Sequence, residues 1–385
     1  MTLASPPPGV AESVKAALRD RDWRGALAAI EADPARATVE GLLDKALAQR
    51  MLHDLDGAVA SLDAALAIEP RNFIALLSRG ALLERLGRRA EAAETYRNAL
   101  TVGAPDGPLP PALEAAIAHA RDMLAARVAA LAQHLRAAVA PVRTRFAGES
   151  LERFDESLSI YAGDARAYVQ EPLLLHYPRL PAIPFYERRL FPWLAELEAA
   201  TPVIQAELAT AVEARADEFT PYIAFPPGVP VNQWRDLNHS RRWSSFFLWK
   251  DGVRQDGACA LCPRTAALLA SLPIAEQPGF APTAMFSMLD ARTTIPAHTG
   301  SANTRLIVHL PLVLPGPARF RVGNVTRPWR MGEAWVFDDT IEHEAWNDAD
   351  TARTILIFDI WNPYLSEGER ELVSAMMTAK NAFTG

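Results

Sequence analysis

The spacing of apolar positions changes along the chain. Over residues 11–105, Ala and Leu recur at three- and four-residue steps, the pattern of helices that bury one face. This part also repeats itself at a spacing of 34. Asp56-Gly57-Ala58-Val59 aligns with Ala90-Glu91-Ala92-Ala93, Ala65-Leu66 with Ala99-Leu100, Leu52 with Leu86, and Leu42-Leu43 with Leu76-Leu77, while a looser copy runs from Trp23 to Ile30. A Pro/Gly-rich break at 102–111 closes it. One long helical pattern follows over about 112–146, with an interruption expected at Pro141. Residues 151–230 are mixed: prolines at 172, 178, 181 and 184 punctuate an extended segment, and the stretch from Tyr186 to Leu194 leads into one long helix through about Arg215. Residues 233–251 read as strand, turn and strand. Five short apolar runs come next, at 284–289, 306–313, 319–322, 333–337 and 354–360, each bounded by Gly, Pro, Asn or Asp. Runs of this length, rich in Val, Ile, Phe and Trp between turn formers, predict an all-β sandwich or barrel. A last helix is expected over 367–380.

A period of 34 with small residues at the helix crossings is the tetratricopeptide signature. The expected fold is therefore multidomain. An N-terminal all-α, tetratricopeptide-like solenoid covers 1–108, a long helical connector 109–150, and a C-terminal α+β domain 151–385, its β core spanning about 230–362. Stacked helix pairs present a concave face. That face either docks a peptide or protein partner or only caps apolar area.

Composition narrows the function. Of 385 residues, 50% are hydrophobic and 22% charged, which is globular throughout. The formal net charge of −7 argues against a nucleic-acid partner and against an anionic membrane surface. No run reaches the roughly 18 apolar residues of a membrane span. Residues 1–15 lack a basic start and an apolar core, so no secretory signal is expected and a soluble, cytoplasmic protein is. The two cysteines, Cys259 and Cys262, are too few for a structural zinc site and lack the βαβ context of a redox pair. Two ordinary thiols at the start of a helix opening at Pro263, or a disulfide, remain.

Chemistry concentrates at the ends of the β runs, where His298, Arg305, His309, His343 and Arg353 fall. Two neutral imidazoles converging in the mouth of a small barrel make a metal site, and nitrogen and oxygen ligands with open positions suit non-haem Fe(II). Arg353, ten residues after His343 and on the next strand, can meet a dicarboxylate with a two-pronged hydrogen-bonded pair. The motifs are Phe286-Ser287-Met288, Ile295-Pro296-Ala297-His298-Thr299-Gly300, Arg305-Leu306-Ile307-Val308-His309-Leu310, Phe337-Asp338-Asp339-Thr340-Ile341-Glu342-His343-Glu344-Ala345-Trp346, and the run from Arg353 through Trp361. Together they resemble the 2-oxoglutarate-dependent oxygenases and, within them, the aspartyl/asparaginyl β-hydroxylase family.

The resemblance implies a double-stranded β-helix, the jelly-roll or cupin-type core, of roughly eight strands. It implies a dioxygenase that uses Fe(II), 2-oxoglutarate and O₂. His298 and His343 would be the metal ligands. Arg353 would hold the distal carboxylate of 2-oxoglutarate, with Ser287 donating a hydroxyl. Arg305 and His309 share one strand face and would contact carboxylates of cosubstrate or substrate; for His309 the alternative is a satisfied core histidine. Two residues after His298, where the wider class carries an acidic ligand, stands Gly300, and none of the eight histidines opens a His-x-Asp or His-x-Glu. The animal members share this glycine and bind iron with two histidines and water, while halogenating relatives leave the space for halide. Asp338 or Asp339 could supply a carboxylate instead, or only cap a turn. Where the animal members carry a second arginine, this chain has Ile307, which brings selectivity for an aspartyl side chain into question. Arg241, Arg242 and Trp243 are candidates for the substrate mouth, or else a rim aromatic beside solvated arginines. The family also carries a cysteine pair before a helix. The expected reaction is hydroxylation of an Asp or Asn residue in a peptide or protein. The alternatives are a small amino acid, an N-acyl amino acid or a lipid acyl chain as substrate. A non-enzymatic repeat scaffold is argued against by the full set of His298, His343 and Arg353.

Overall fold

Side-chain caps set where the N-terminal helices begin. In the computed structural model, which describes residues 10–32 and 37–384, helix α1 (Val10–Arg19) is followed by α2 (Trp23–Glu31), α3 (Val39–Met51), α4 (Leu55–Ile68), α5 (Phe73–Arg85) and α6 (Arg89–Val102). Asp22, Thr38, Asp54 and Asn72 accept hydrogen bonds from the backbone N–H groups of Gly25, Gly41, Gly57 and Ala75, which opens α2 to α5. Helices α3 and α5 start at residues 39 and 73, and α4 and α6 at 55 and 89, so the 34-residue period is the helix-pair repeat itself. The matched alanines Ala58 and Ala92, and Ala65 and Ala99, are all fully buried. Small side chains there let neighbouring helices approach closely, and the leucines around them fill the core. The loose copy at Trp23 is α2. The reading of residues 1–15 as no secretory signal falls chiefly on residues 1–9, which lie outside the described residues.

Helix α7 (Pro111–Arg145) opens on a proline, where the missing N–H costs nothing, and packs on α5, α6 and α8 (Glu152–Ala162). Contrary to expectation, Pro141 does not interrupt α7. It sits in the last turns, where little helix remains for the lost hydrogen bond to disturb. Contacts divide the chain into two units, Met1–Ala165 and Arg166–Gly385.

The second unit is built on two antiparallel sheets. Its strands are β1 (Thr220–Pro221), β2 (Trp243–Lys250), β3 (Val253–Arg254), β4 (Ala284–Leu289), β5 (Thr293–His298), β6 (Arg305–Val313), β7 (Ala318–Val322), β8 (Val325–Pro328), β9 (Trp335–Phe337), β10 (His343–Asn347) and β11 (Arg353–Trp361). One sheet runs β1-β2-β4-β11-β6-β9, with β3 added to β2, and the other β5-β10-β7-β8. This is the jelly-roll architecture, with eleven strands among the described residues rather than about eight, because short pieces such as β1, β3 and β8, of two, two and four residues, add to the sheets. The strand expected at the start of 233–251 is instead a short turn of helix at Asn232–Trp234 and a series of turns; its polar residues offer no apolar face to a sheet.

The larger sheet has two differently used faces. Leu306, Val308, Leu310, Phe246, Phe286, Leu356 and Phe358 point outward into a core shared with helices α9 (Leu194–Ala199), α10 (Thr201–Arg215), α11 (Asp256–Leu261) and α12 (Pro263–Ser271). The expected single helix through Arg215 is divided between α9 and α10 at Ala200, ahead of Pro202. The alternate residues, Trp243, Leu289, Trp335, Phe337 and Ile355, face inward against Ile295, Phe320, Val322 and Ala345 of the smaller sheet. Cys259 and Cys262 are free, buried thiols, which decides between the two readings. Burial pushes Cys262 up to about 12, and the α12 N-terminus is capped by the Glu207 carboxylate, which accepts from the N–H groups of Arg264 and Thr265 at 2.8 Å each. Helix α13 (Glu367–Thr384) ends the chain. Among the described residues no helix is long and apolar enough to cross a membrane.

In the first unit, a Cβ on Gly80 of α5 would come within 2.6 Å of the rigid ring of Tyr96 on α6. Gly80→Val is therefore expected to destabilise this unit by about 1–3 kcal/mol. Hydrogen exchange of the α5 and α6 amides reads the effect, and unchanged protection would show that the ring can give way.

Candidate active site

Two histidines meet where β5 ends and β10 begins. His298 and His343 are register partners across this antiparallel pair, and their ring centroids lie 4.1 Å apart. The register shifts between His343 and Ala345, a bulge that lets the two adjacent imidazoles turn to one point. His298 Nδ1 donates to the Pro296 carbonyl at 2.7 Å, and His343 Nδ1 to that of Ile341 at 3.0 Å. Each proton is thereby fixed on Nδ1, and the Nε2 lone pair is left free. Burial lowers His298 to about 4 and holds His343 well below its usual value, with the His298 imidazole adding to the effect. Both rings are neutral at neutral pH.

No third such side chain joins them: among the described residues, no group of three or more His, Cys, Asp or Glu is placed to hold a metal. The two aspartates of the motif divide their tasks. Asp338 is fully buried and caps the turn, accepting from Thr340 N at 3.0 Å, Thr340 Oγ1 at 2.6 Å and Gln170 Nε2 at 2.6 Å. Asp339 puts its carboxylate into the space that a side chain on Gly300 would fill, and its own carbonyl accepts from Gly300 N at 2.6 Å. Burial pushes the Asp339 carboxyl up to about 7.

Arg353 opens β11 and is 1% exposed. Its Nη1 donates to the Ser287 carbonyl at 3.3 Å, and its guanidinium lies over Trp329 at 4.8 Å. Among the described residues no carboxylate pairs with it, and burial alone pushes it down to about 9. Ser287, on the facing strand, accepts from Trp243 Nε1 at 3.1 Å and keeps its own proton to donate. His309 is 5% exposed and sits among Phe320, Phe337 and Trp329, with Nδ1 unpartnered; it is not a hydrogen-bonded core histidine at that nitrogen. Ile307 lies on the same inner side.

The remaining candidates are placed differently. Arg305 is committed to a buried ion pair with Asp359. Arg241 donates to the Ala216 carbonyl at 2.6 Å and lines a cavity with Val212, Phe219, Ser244 and Met288, on the outer face of the sheet. Arg242 is exposed, and its contact is the Arg292 carbonyl at 3.5 Å. Neither arginine is brought to the histidines, because their contacts lie off the inner face. Trp243 is, with its ring 6.4 Å from His298 and Trp234 closer at 4.9 Å. Residue-by-residue reading missed Trp234, Trp329, Trp335 and Asp359. The parity of Trp335 with Phe337, and of Asp359 with Arg353, was the available signal.

Residues 198–363 match the sequence model of the family described as Aspartyl/Asparaginyl beta-hydroxylase. Through this region the chain is similar to that hydroxylase family. It is 36% identical over 199 residues to an "Ornithine lipid ester-linked acyl 2-hydroxylase" of Rhizobium tropici, covering 51% of this chain and 66% of that protein. It is also 36% identical over 151 residues to human "Aspartyl/asparaginyl beta-hydroxylase", covering 39% of this chain and 20% of that protein. The matches thus span less than two thirds of each relative. Among solved structures, the "Arabidopsis OM64 TPR domain" is similar at 26% identity over 29% of this chain and 92% of its own, with a TM-score of 0.25. The "Schizosaccharomyces pombe Cnp3 Cupin Domain" is similar at 10% identity over 35% of this chain and 71% of its own, with a TM-score of 0.22.

The contact of Gly300 with Asp339 is testable. Gly300→Ala forces the Asp339 carboxylate out and is expected to lower stability by about 1–3 kcal/mol. Asp339→Ala in the same chain should recover most of that loss. Thermal melts of the four proteins of this double-mutant cycle measure the coupling, and strictly additive effects would show that the two residues do not compete for one space.

Proposed function

We propose that the second unit is an Fe(II)- and 2-oxoglutarate-dependent dioxygenase that hydroxylates an unactivated C–H bond. The observation that carries this reading is Arg353: a guanidinium 1% exposed, with no carboxylate partner among the described residues, calls for an anionic ligand. The residues suit both absent groups. Two neutral imidazoles with Nε2 free fit a divalent metal with nitrogen ligands and open positions. A buried fork of donors fits one carboxylate of a dicarboxylate.

His298 and His343 would hold the iron, Arg353 with Ser287 the distal carboxylate of 2-oxoglutarate, and His309 would contact a carboxylate of cosubstrate or substrate. When bound, the iron supplies the activation of O₂ that couples oxidation of the 2-oxo acid to insertion of one oxygen atom into the substrate. The chain's own part is to orient and to exclude water. The carbonyls of Pro296 and Ile341 hold the imidazole tautomers, and Phe320 and Phe337 wall the space beside His343. Asp339, beside Gly300, is the carboxylate nearest the missing acidic position and would act as a hydrogen-bonding neighbour.

For the substrate, the family reading is an Asp or Asn side chain of a peptide or protein. A second reading, a small amino acid, an N-acyl amino acid or a lipid acyl chain, is favoured by a specific observation. Arg305 is already paired with Asp359, and Ile307 is apolar, so neither offers a free cation to a substrate carboxylate. In this proposal the helical repeats of the first unit are a docking surface for a protein partner.

Purified protein loaded with Fe(II) should turn over 2-oxoglutarate in the absence of substrate. Offered a peptide library and a lipid and metabolite extract, it should add one oxygen by mass to members of one class. Peptide-only products would eliminate the acyl and small-molecule reading. His343→Ala should lose both iron content and turnover. Arg353→Ala should raise the KM for 2-oxoglutarate by at least about 30-fold, corresponding to about 2–5 kcal/mol for an unpaired buried carboxylate. An unchanged KM would place the cosubstrate carboxylate elsewhere.

A further inference from the structure

Four nitrogens between the sheets have no hydrogen-bond partner among the described residues: Arg353 Nε, His309 Nδ1, Trp329 Nε1 and Trp335 Nε1. Their side chains are 1%, 5%, 6% and 9% exposed. They also form one contact cluster. The Arg353 guanidinium lies 4.8 Å from the Trp329 ring, Trp329 lies 5.9 Å from Trp335 and 6.0 Å from His309, and Trp335 is the register partner of His309 on β6. An indole nitrogen and an arginine Nε can only donate. A buried donor without an acceptor costs about 1–3 kcal/mol, and three in one cluster share the same need. The side chains packed among them, Ile307, Phe320 and Phe337, have no acceptor to give.

We propose that Trp329 and Trp335 are cosubstrate-binding residues whose indole N–H groups donate to the carboxylate of 2-oxoglutarate held by Arg353. This rests on the cosubstrate reading above. Neutral donors suit the site physically. A second cation beside Arg353 would be repelled in a dry interior, and burial already disfavours the charge there. Indoles add hydrogen bonds to the anion without adding charge. Stacking of Trp329 on the guanidinium keeps that donor beside the group that attracts the anion.

The test uses ¹⁵N-labelled full-length protein with Zn(II) as a diamagnetic occupant of the histidine pair. The chain's nine tryptophans give at most nine indole cross-peaks. Calorimetry measures 2-oxoglutarate binding in parallel. Two of the indole N–H resonances, assigned to Trp329 and Trp335, are expected to move downfield in one saturable step at the calorimetric Kd. Trp329→Phe and Trp335→Phe keep a ring and lose the donor, and each should weaken binding about tenfold. If the wild-type protein does not bind 2-oxoglutarate, the cosubstrate reading fails and this proposal with it. If it binds while both indole resonances stay in place, the cosubstrate reading stands and the indole proposal is overturned. The wild-type resonances carry this outcome even where a Phe variant fails to fold, since triple-resonance spectra assign them independently.

Discussion

The register of β10 against β5 is the constraint on which the C-terminal unit depends. Side chains alternate across a strand, so a slip of one residue would turn His343 away from His298 and send it to the opposite face. The register is pinned at both ends. At the far end Asn347 is fully committed: its Nδ2 donates to the carbonyls of Leu289, Asp290 and Thr351 at 3.0, 2.9 and 2.9 Å. At the near end Gly300 N donates to the Asp339 carbonyl, which ties the segment after His298 to the segment before His343. Between them Ala345 pairs with both Ile295 and Phe320, so β10 is held from two sides. The imidazole pair follows from backbone pairing, not from any attraction between the rings.

Two arginines on the inner face show how differently a buried cation can be treated. Arg305 has its counter-ion in the chain: Asp359, which also accepts from Thr283 N at 2.9 Å. Removing either partner would leave an uncompensated charge in the interior, so the pair is fixed once formed. Arg353 has only a carbonyl and an aromatic face. The desolvation that Arg305 offsets with Asp359 is offset by no carboxylate at Arg353 among the described residues. That difference separates a structural guanidinium from one suited to binding, and it cannot be read from the residue type.

The N-terminal unit obeys a different physics. Its repeats bury alanine and glycine where helices cross and leucine between them, with Gly80 lying against the Tyr96 ring as the tightest example. Each helix pair packs on its neighbours in sequence. Stability there is a sum of local contacts, whereas the jelly roll is closed by pairings between strands far apart in the chain, such as β2 with β4 and β6 with β11.

Local pattern accounts for what the sequence by itself determined. The 34-residue period set helix pairs α3–α4 and α5–α6, and the apolar runs marked β4, β6, β7, β9 and β11 within a residue or two, because one buried face per element leaves a fixed periodicity. The family motifs marked His298, His343, Arg353, Ser287 and His309, and these five do lie along the inner face of the sheets. The strands β5 and β10 were not legible, since Thr293-Thr294-Ile295-Pro296-Ala297-His298 and His343-Glu344-Ala345-Trp346-Asn347 put polar groups where an apolar run was sought. Only the tertiary structure decided that Asp359 takes Arg305 across 54 residues, that Asp339 fills the space beside Gly300, and that Trp329 comes to lie on Arg353 with Trp335 stacked on Trp329, neither indole with an acceptor among the described residues. Each of these is a choice of partner. Partner choice depends on which buried groups are left unsatisfied after the sheets close, and no local spacing records that.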